Sequence, residues 1–243
     1  NYSLGLPELT KIDTPRKIGS MTGVIMVSAG LDHSLALDIN GDVWGWGSNA
    51  HFKLGFPDES EIVKTPTKLP LKNIIKISCG EYISLALDRG GNVWWAGVFD
   101  DSLPSEFTVV ASLPNIIDIV AGDIFGLILT SYNEVFEIDS DGVYYDITAK
   151  NIVKIGCNNN IRIALTNESK VYIWGDNTLG GFGPEIPIGT YQFPILHPKF
   201  SNIINVSRGL GPTHLINNEY QVIKLTSRPS YISTLLPKIW TPF

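Results

Sequence analysis

The sequence predicts an all-β protein, a β-propeller of about five four-stranded blades, because one short pattern recurs five times along the chain. Each copy opens with an apolar segment that ends in a glycine or, once, an asparagine, and a valine stands thirteen residues after that turn residue. The opening segments are residues 24–30, 74–80, 116–122, 152–158 and 203–209, and the valines are Val43, Val93, Val135, Val171 and Val222. Because chance would not hold this spacing five times, each copy is one structural unit.

Each unit is predicted to contain three consecutive antiparallel strands. The opening segment is the first strand, and a second apolar run follows its turn, as in Ser34-Leu-Ala-Leu37. A tight polar turn comes next, clearest at Asn40-Gly41, where residues that accept a positive φ reverse the chain. The valine then begins a third strand, as in residues 43–47.

A fourth, outer strand is indicated by Thr65-Pro-Thr-Lys-Leu69 and by the similar Thr14-Pro-Arg-Lys-Ile18. Proline suits an edge strand, because it cannot donate a ladder hydrogen bond. Four-stranded units that cannot bury their own apolar faces stack radially as propeller blades, of which roughly four to eight are usual. We therefore expect a single domain over residues 1–243, with repeat cores at 24–47, 74–97, 116–139, 152–175 and 203–226.

The two ends of the chain are expected to close the ring. Residues 1–5 look like the tail of the outer loop at 49–55, and the fifth unit supplies inner strands without a clear outer one. An N-terminal strand that joined the last blade would complete that blade and remove a free edge. Thr241-Pro242 competes for the same position.

Composition and charge argue against several classes of function. The 243 residues are 44% hydrophobic with a net charge of −6, so a buried core is expected and an electrostatic grip on nucleic acid is not. The most apolar stretch, residues 116–129, contains Asp118 and Asp123 and is too short to cross a bilayer. The two cysteines fit a reducing compartment. We expect a soluble, cytoplasmic monomer.

The first repeat carries the most specific motifs. Residues 30–37 read Gly-x-x-His-Ser-x-Ala-Leu, and residues 41–49 read Gly-Asp-Val-Trp-Gly-Trp-Gly-Ser-Asn. The chain thereby resembles the regulator of chromosome condensation family, with a good second copy at 80–97 and a partial one at 158–177. Members of that family usually have seven blades, so a ring of five is a reduced version.

The resemblance implies a contact face for a protein partner. The best-known family activity is nucleotide exchange on the small GTPase Ran, in which acidic and histidine side chains of the turns between the first two strands meet the GTPase. The positions of this sequence that match those turns are Asp32, His33, Glu81, Tyr82, Asp123, Asn159, Asn160 and Leu210. Binding the nucleotide-free GTPase better than the loaded form is sufficient for exchange and needs no bond chemistry on the propeller.

Alternatives remain open at several of these positions. His33 is at least as well explained by hydrogen-bonded packing as by partner contact, and the recurring tryptophans are expected to pack between blades. Cys79 and Cys157 occupy equivalent inner-strand positions and are predicted to be inert thiols. His51, His197 and His214 are scattered, and no catalytic or phosphate-binding motif occurs, so we expect no metal, no cofactor and no catalytic residues.

Two functions therefore compete. One is a small-GTPase-binding propeller that promotes exchange, and the other is an interaction scaffold that binds a different protein without exchange. No inserted wedge is visible, because the two long outer loops, 48–64 and 176–192, are of similar length. The Ile- and Asn-rich composition and the reduced ring would suit a bacterial effector that acts in a host cytosol.

Overall fold

The chain folds into four-stranded antiparallel sheets joined in sequence order. The computed structural model describes residues 2–6, 13–19, 21–58, 62–97, 106–139, 144–147, 149–158, 160–207, 213–225 and 232–235. These residues form twenty strands in five sheets, and one short 3₁₀ helix, Ala50–Phe52, lies in an outer loop. The predicted all-β class is confirmed.

The strands of each sheet follow one another in chain order. The first sheet contains β1 (Val24–Ala29), β2 (His33–Asp38), β3 (Val43–Ser48) and β4 (Ile62–Lys68). The second contains β5 (Ile74–Cys79), β6 (Ser84–Asp88), β7 (Asn92–Ala96) and β8 (Thr108–Ser112). The third contains β9 (Ile116–Ala121), β10 (Gly126–Thr130), β11 (Val135–Ile138) and β12 (Tyr144–Ile147). The fourth contains β13 (Ile152–Asn158), β14 (Ile161–Thr166), β15 (Val171–Asp176) and β16 (Thr190–Leu196). The fifth contains β17 (Ile203–Val206), β18 (His214–Asn217), β19 (Gln221–Lys224) and β20 (Ile232–Leu235).

The five valines occupy the same register in their sheets. Each valine pairs across the ladder with the last apolar residue of the second strand, as Val43 does with Leu37. The other pairs are Val93 with Leu87, Val135 with Leu129, Val171 with Leu165, and Val222 with Ile216. The repeat seen in the sequence is therefore one structural position that recurs in every sheet.

A second recurring position precedes every first strand. The residues there are Gly23, Asn73, Asn115, Asn151 and Asn202, and all five have φ between 58° and 67°. Asparagine is the non-glycine residue that most readily takes this left-handed conformation. The carbonyl of each of these residues accepts a hydrogen bond from the residue after the second strand, for example Asn73 from the Arg89 amide at 3.0 Å. The sequence analysis did not identify this turn.

Successive sheets pack through their first strands, as the blades of a propeller do. The strand β5 lies against β1 and β2, β9 lies against β5 and β6, and the same relation joins the third sheet to the fourth and the fourth to the fifth. Buried leucine and isoleucine side chains of the second strands fill these interfaces, among them Leu35, Leu37, Leu85, Leu127 and Ile163. Trp46, Trp95 and Trp174 are also buried, which confirms the predicted packing role.

The predicted N-terminal closing strand does not form in the described residues. Residues 13–19 contain no strand, and the outer position of the fifth sheet is taken by β20 instead. The N-terminal segment packs on the first sheet, where the Ser3 carbonyl accepts hydrogen bonds from Trp46 Nε1 at 2.8 Å and Ser34 Oγ at 3.0 Å. These bonds satisfy polar groups of the first sheet. The competing segment Thr241-Pro242 lies outside the described residues.

Candidate partner-binding face

The turns between the first and second strands of neighbouring sheets lie against one another. A Cβ on Gly30 would be 2.3 Å from the carbonyl oxygen of Gly80, and one on Gly80 would be 1.8 Å from that of Gly122, so only glycine permits this approach. The Tyr82 amide donates to the Asp123 carbonyl at 3.2 Å. We call the resulting surface the turn face and define it by Asp32, Glu81, Tyr82, Asp123 and Asn160.

The Tyr82 hydroxyl lies in an acidic environment. A hydrogen bond with Glu81 and the Glu81 charge are the main causes that raise the pKa of Tyr82, followed by desolvation and by the charges of Asp123 and Asp32. These carboxylates come from the turns of three successive sheets. The turn face therefore has a shared negative potential, which the separate turns in the sequence do not have on their own.

Asp123 is the most perturbed carboxylate of the turn face. Burial and then repulsion from Glu81 raise the pKa of Asp123 to about 6, and the positive charge of Arg162 opposes them. The Oδ1 atom of Asp123 is buried, and no hydrogen bond to it occurs among the residues that the structure describes. A positively charged partner group at this point would offset the cost of ionising Asp123.

Asp32 differs from Asp123, because a lysine of the same sheet neutralises it. The Lys53 ammonium group forms an ion pair with Asp32 Oδ1, and only 3% of the Lys53 side chain is exposed. The same Nζ lies 3.4 Å from the Glu81 carbonyl oxygen, to which it donates. The sequence analysis missed Lys53, because it lies in an outer loop twenty-one residues after its partner.

A second cation, Arg162, anchors the side of the turn face formed by the third and fourth sheets. Its guanidinium lies 3.5 Å from the centre of the Phe125 ring and forms two hydrogen bonds with the Glu137 carboxylate, at 2.5 and 3.2 Å. It also donates to the Asn160 carbonyl at 2.8 Å. An arginine at the position where other repeats have Ser34 or Ser84 was the available signal for this residue.

His33, which was among the residues predicted for partner contact, lies beneath the turn face in this structure. It is fully buried, and its Nε2 lies 2.9 Å from Ser84 Oγ of the second sheet. Burial and the nearby Lys53 charge lower the pKa of His33 to about 3, although Asp32 opposes them, so the ring is neutral at physiological pH. The alternative packing role is the one that this geometry supports.

The remaining predicted site residues divide into two groups. Asn160 is exposed at the turn before β14, beside Arg162. Asn159 and Leu210 lie outside the described residues. The turn face as defined therefore brings together five of the eight residues predicted for partner binding.

The described residues offer little for metal or thiol chemistry. Within them, no group of three or more His, Cys, Asp or Glu side chains could hold a metal ion. Cys79 and Cys157 are buried and unbridged, and burial raises the pKa of Cys79 to about 12, which disfavours its reactive thiolate form. No helix in the described part of the chain is long and apolar enough to cross a membrane.

Comparison with known proteins identifies the repeat. Residues 24–52 and 40–87 match models of the Regulator of chromosome condensation (RCC1) repeat. The Protein RCC2 homolog of Xenopus laevis is 35% identical over 68 residues, which are 27% of this chain and 13% of that protein. The curated relative is thus matched over a small part of its length.

Solved structures share the fold over most of the chain. Human WBSCR16 has a TM-score of 0.74 at 17% identity and is matched over 92% of this chain and 72% of its own. Yeast RCC1 (Prp20) bound to Kap60 has a TM-score of 0.77 at 19% identity, with coverage of 92% and 62%. Prp20p of Saccharomyces cerevisiae, whose structure was described with its binding to Gsp1p and histones, has a TM-score of 0.71 at 20% identity. The match covers 83% of this chain and 56% of Prp20p. These similarities establish an RCC1-like β-propeller fold.

Proposed function

Because this chain carries repeats of the RCC1 type in residues 24–87, we propose that it is a protein-binding propeller whose turn face engages a small GTPase of the Ran type. One observation supports this function: Glu81 and Tyr82 of the second sheet lie close enough to Asp123 of the third to form a single acidic surface. We further propose that the five sheets are five blades of one domain over residues 1–243.

The turn face suits a partner with basic side chains. Glu81 and Asp123 repel each other, and Asp123 is partly desolvated without a hydrogen bond to Oδ1 among the described residues. A lysine or arginine of the GTPase would relieve both penalties when it binds. If this contact is stronger in the nucleotide-free GTPase than in the loaded form, thermodynamic linkage requires that binding weakens the nucleotide.

The direct test measures release of fluorescent GDP from purified Ran with and without this protein. We expect acceleration by the natural sequence and a loss of about tenfold or more for Glu81→Ala and Asp123→Ala. Glu168→Ala is the matched control, because that carboxylate is 61% exposed and pairs with Lys170 beside the β14–β15 turn. If neither GDP release nor capture of Ran occurs with the natural sequence, this function is excluded.

A non-exchanging interaction scaffold is the second candidate, and the outer loops favour it. Asn49 and Asn177 are fully buried and hold the loops of the first and fourth sheets by hydrogen bonds to loop backbone atoms, such as Asn49 Nδ2 to the Asp58 carbonyl at 2.7 Å. The described parts of these loops are thus held against Asn49 and Asn177. Capture of a partner without acceleration of GDP release would support the scaffold. A cytoplasmic location and a role as a bacterial effector remain predictions.

A further inference from the structure

Lys53 is buried in the turn face although lysine is almost never fully buried unless it is paired. It follows the short helix Ala50–Phe52 and is 2% exposed. Its ammonium group joins two turns, because it pairs with the Asp32 carboxylate of the first sheet and donates to the Glu81 carbonyl of the second at 3.4 Å. Lys53 therefore neutralises the Asp32 carboxylate and holds the neighbouring turn in position through its bond to the Glu81 carbonyl.

The fourth sheet shows that the loop does not require this ion pair. Asn49 and Asn177 cap equivalent loops, accepting hydrogen bonds from the amides of Leu54 at 3.0 Å and Phe182 at 2.8 Å, each five residues later. The residue before Phe182 is Gly181, so glycine stands in the fourth sheet where the first has Lys53.

The partner of Lys53 is also replaced in the fourth sheet. The carbonyls of Asp32 and Asn160 accept equivalent hydrogen bonds from the amides of the last residues of the third strands, Ser48 at 2.9 Å and Asp176 at 3.1 Å. The same backbone thus forms with a neutral asparagine and a glycine. The loop backbone therefore does not need the ion pair between Lys53 and Asp32. What the pair changes is the charge of the turn face.

We propose that Lys53 is a positioning residue of the turn face, which neutralises Asp32 and leaves Glu81 and Asp123 as the acidic groups that meet a basic partner surface. This inference rests on the proposed function for its partner but not for its electrostatics. Without the Lys53 charge, the Asp32 carboxylate would add an uncompensated negative charge close to Tyr82, whose hydroxyl already responds to Asp32.

The first experiment reads this charge directly and needs no partner. Fluorotyrosine placed at Tyr82 is titrated by ¹⁹F NMR in the natural sequence and in variants. Lys53→Gln is expected to move the titration midpoint upward, and Lys53→Arg is expected to leave it in place. Adding Asp32→Asn to Lys53→Gln should bring the midpoint back, because the uncompensated charge is then gone.

Lys68→Gln is the matched control, since Lys68 forms an ion pair with Asp42 in the same sheet but is 52% exposed. Its midpoint should equal that of the natural sequence. If Lys53→Gln is too unstable to titrate, Lys53→Gln/Asp32→Asn is compared with Asp32→Asn alone, and a higher midpoint is expected in the double variant, because Asp32→Asn alone keeps the uncompensated Lys53 charge. An unchanged midpoint in folded Lys53→Gln, or equal midpoints in that comparison, would overturn the role of Lys53.

The second experiment measures the association rate with Ran. Lys53→Gln/Asp32→Asn, which removes the ion pair without changing the net charge, should change the rate less than about twofold, whereas Glu81→Gln and Asp123→Asn should each lower it about tenfold. An effect of Lys53→Gln/Asp32→Asn as large as that of Asp123→Asn would refute the neutralisation of Asp32. Failure of the natural sequence to bind Ran would reject the proposed function and leave the ¹⁹F titration as the test of Lys53.

Discussion

The inner strands of the first and second sheets have nearly the same sequence pattern but different surroundings. Val27 in β1 and Ile77 in β5 occupy equivalent positions, three residues before the turn glycine, yet Val27 is 71% exposed and Ile77 is 6% exposed. The strand β5 packs against the first sheet, whereas no comparable packing joins β1 to the fifth sheet in the described residues. The comparison shows that burial in this fold comes from the neighbouring sheet rather than from the repeat itself.

The largest expected difference lies between these two side chains. Ile77→Ala should lower the free energy of unfolding by about 2–4 kcal/mol, because it leaves a cavity in a packed interface. Val27→Ala should change it by less than about 0.5 kcal/mol, because the side chain is in water. Urea denaturation of both variants measures the difference.

Val27→Lys gives the sharper version of the same comparison. A lysine on a solvated face costs little, so stability close to that of the natural sequence is expected. A loss as large as that of Ile77→Ala would mean that another surface covers β1 in solution, and the comparison between the two strands would then fail.

A smaller effect is expected at the polar contact between the first two sheets. Ser84→Ala removes the hydrogen bond to His33 Nε2, and the described residues already offer no partner to His33 Nδ1. A buried ring without partners should cost about 1–2 kcal/mol of unfolding free energy, measured by thermal or urea denaturation. Ser112→Ala, which loses an exposed hydrogen bond to Asn92, should be nearly neutral. Equal losses for the two serines would show that the interface bond contributes nothing.

The smallest expected effect is a pH dependence of the free energy of unfolding that arises from Asp123, where the third sheet meets Tyr82 of the second. Because the folded pKa of Asp123 is raised to about 6, its stabilising contribution is present below the unfolded pKa near 4 and is lost as pH rises through 6. Asp123→Asn should therefore be more stable than the natural sequence at pH 7.5 and should lack this dependence. Solvent screening of the half-exposed group limits the gain to about 1 kcal/mol.

Urea denaturation at pH 4.0 and 7.5 measures this difference. Glu168→Gln, which changes an exposed carboxylate, should leave the pH dependence as it is in the natural sequence. If the natural sequence gained stability relative to Asp123→Asn between pH 4.0 and 7.5, that result would contradict the raised pKa of Asp123.

Much of the fold could be predicted because a repeat is a local property of the chain. The spacing from Gly30 to Val43 reports a strand, a turn and a strand, and each of these depends on residues within a few positions. The same reasoning failed for Thr14-Pro-Arg-Lys-Ile18, which resembles a true outer strand but lies in a segment whose nearby Ser3 is bonded to the first sheet. A strand motif does not form a strand unless a ladder edge is available to it.

The candidate site was predictable only in part. The turns could be located, and Glu81, Tyr82 and Asp123 do lie together as expected. The packing role of His33 was one of two open alternatives, and only the contact with Ser84 of the second sheet decides between them. The contacts of Lys53 and Arg162 could not be located from the sequence, because these cations act on residues of other turns or sheets.

The sequence by itself determined the number of repeats, the strand order within each sheet and the register of the valines, because these follow from spacing along one chain. The tertiary structure alone decided which inner strand is covered, which carboxylate is neutralised and which turn residue is buried. Those properties depend on the distance between atoms of neighbouring sheets, and packing and Coulomb interactions act over that distance whatever the separation in sequence.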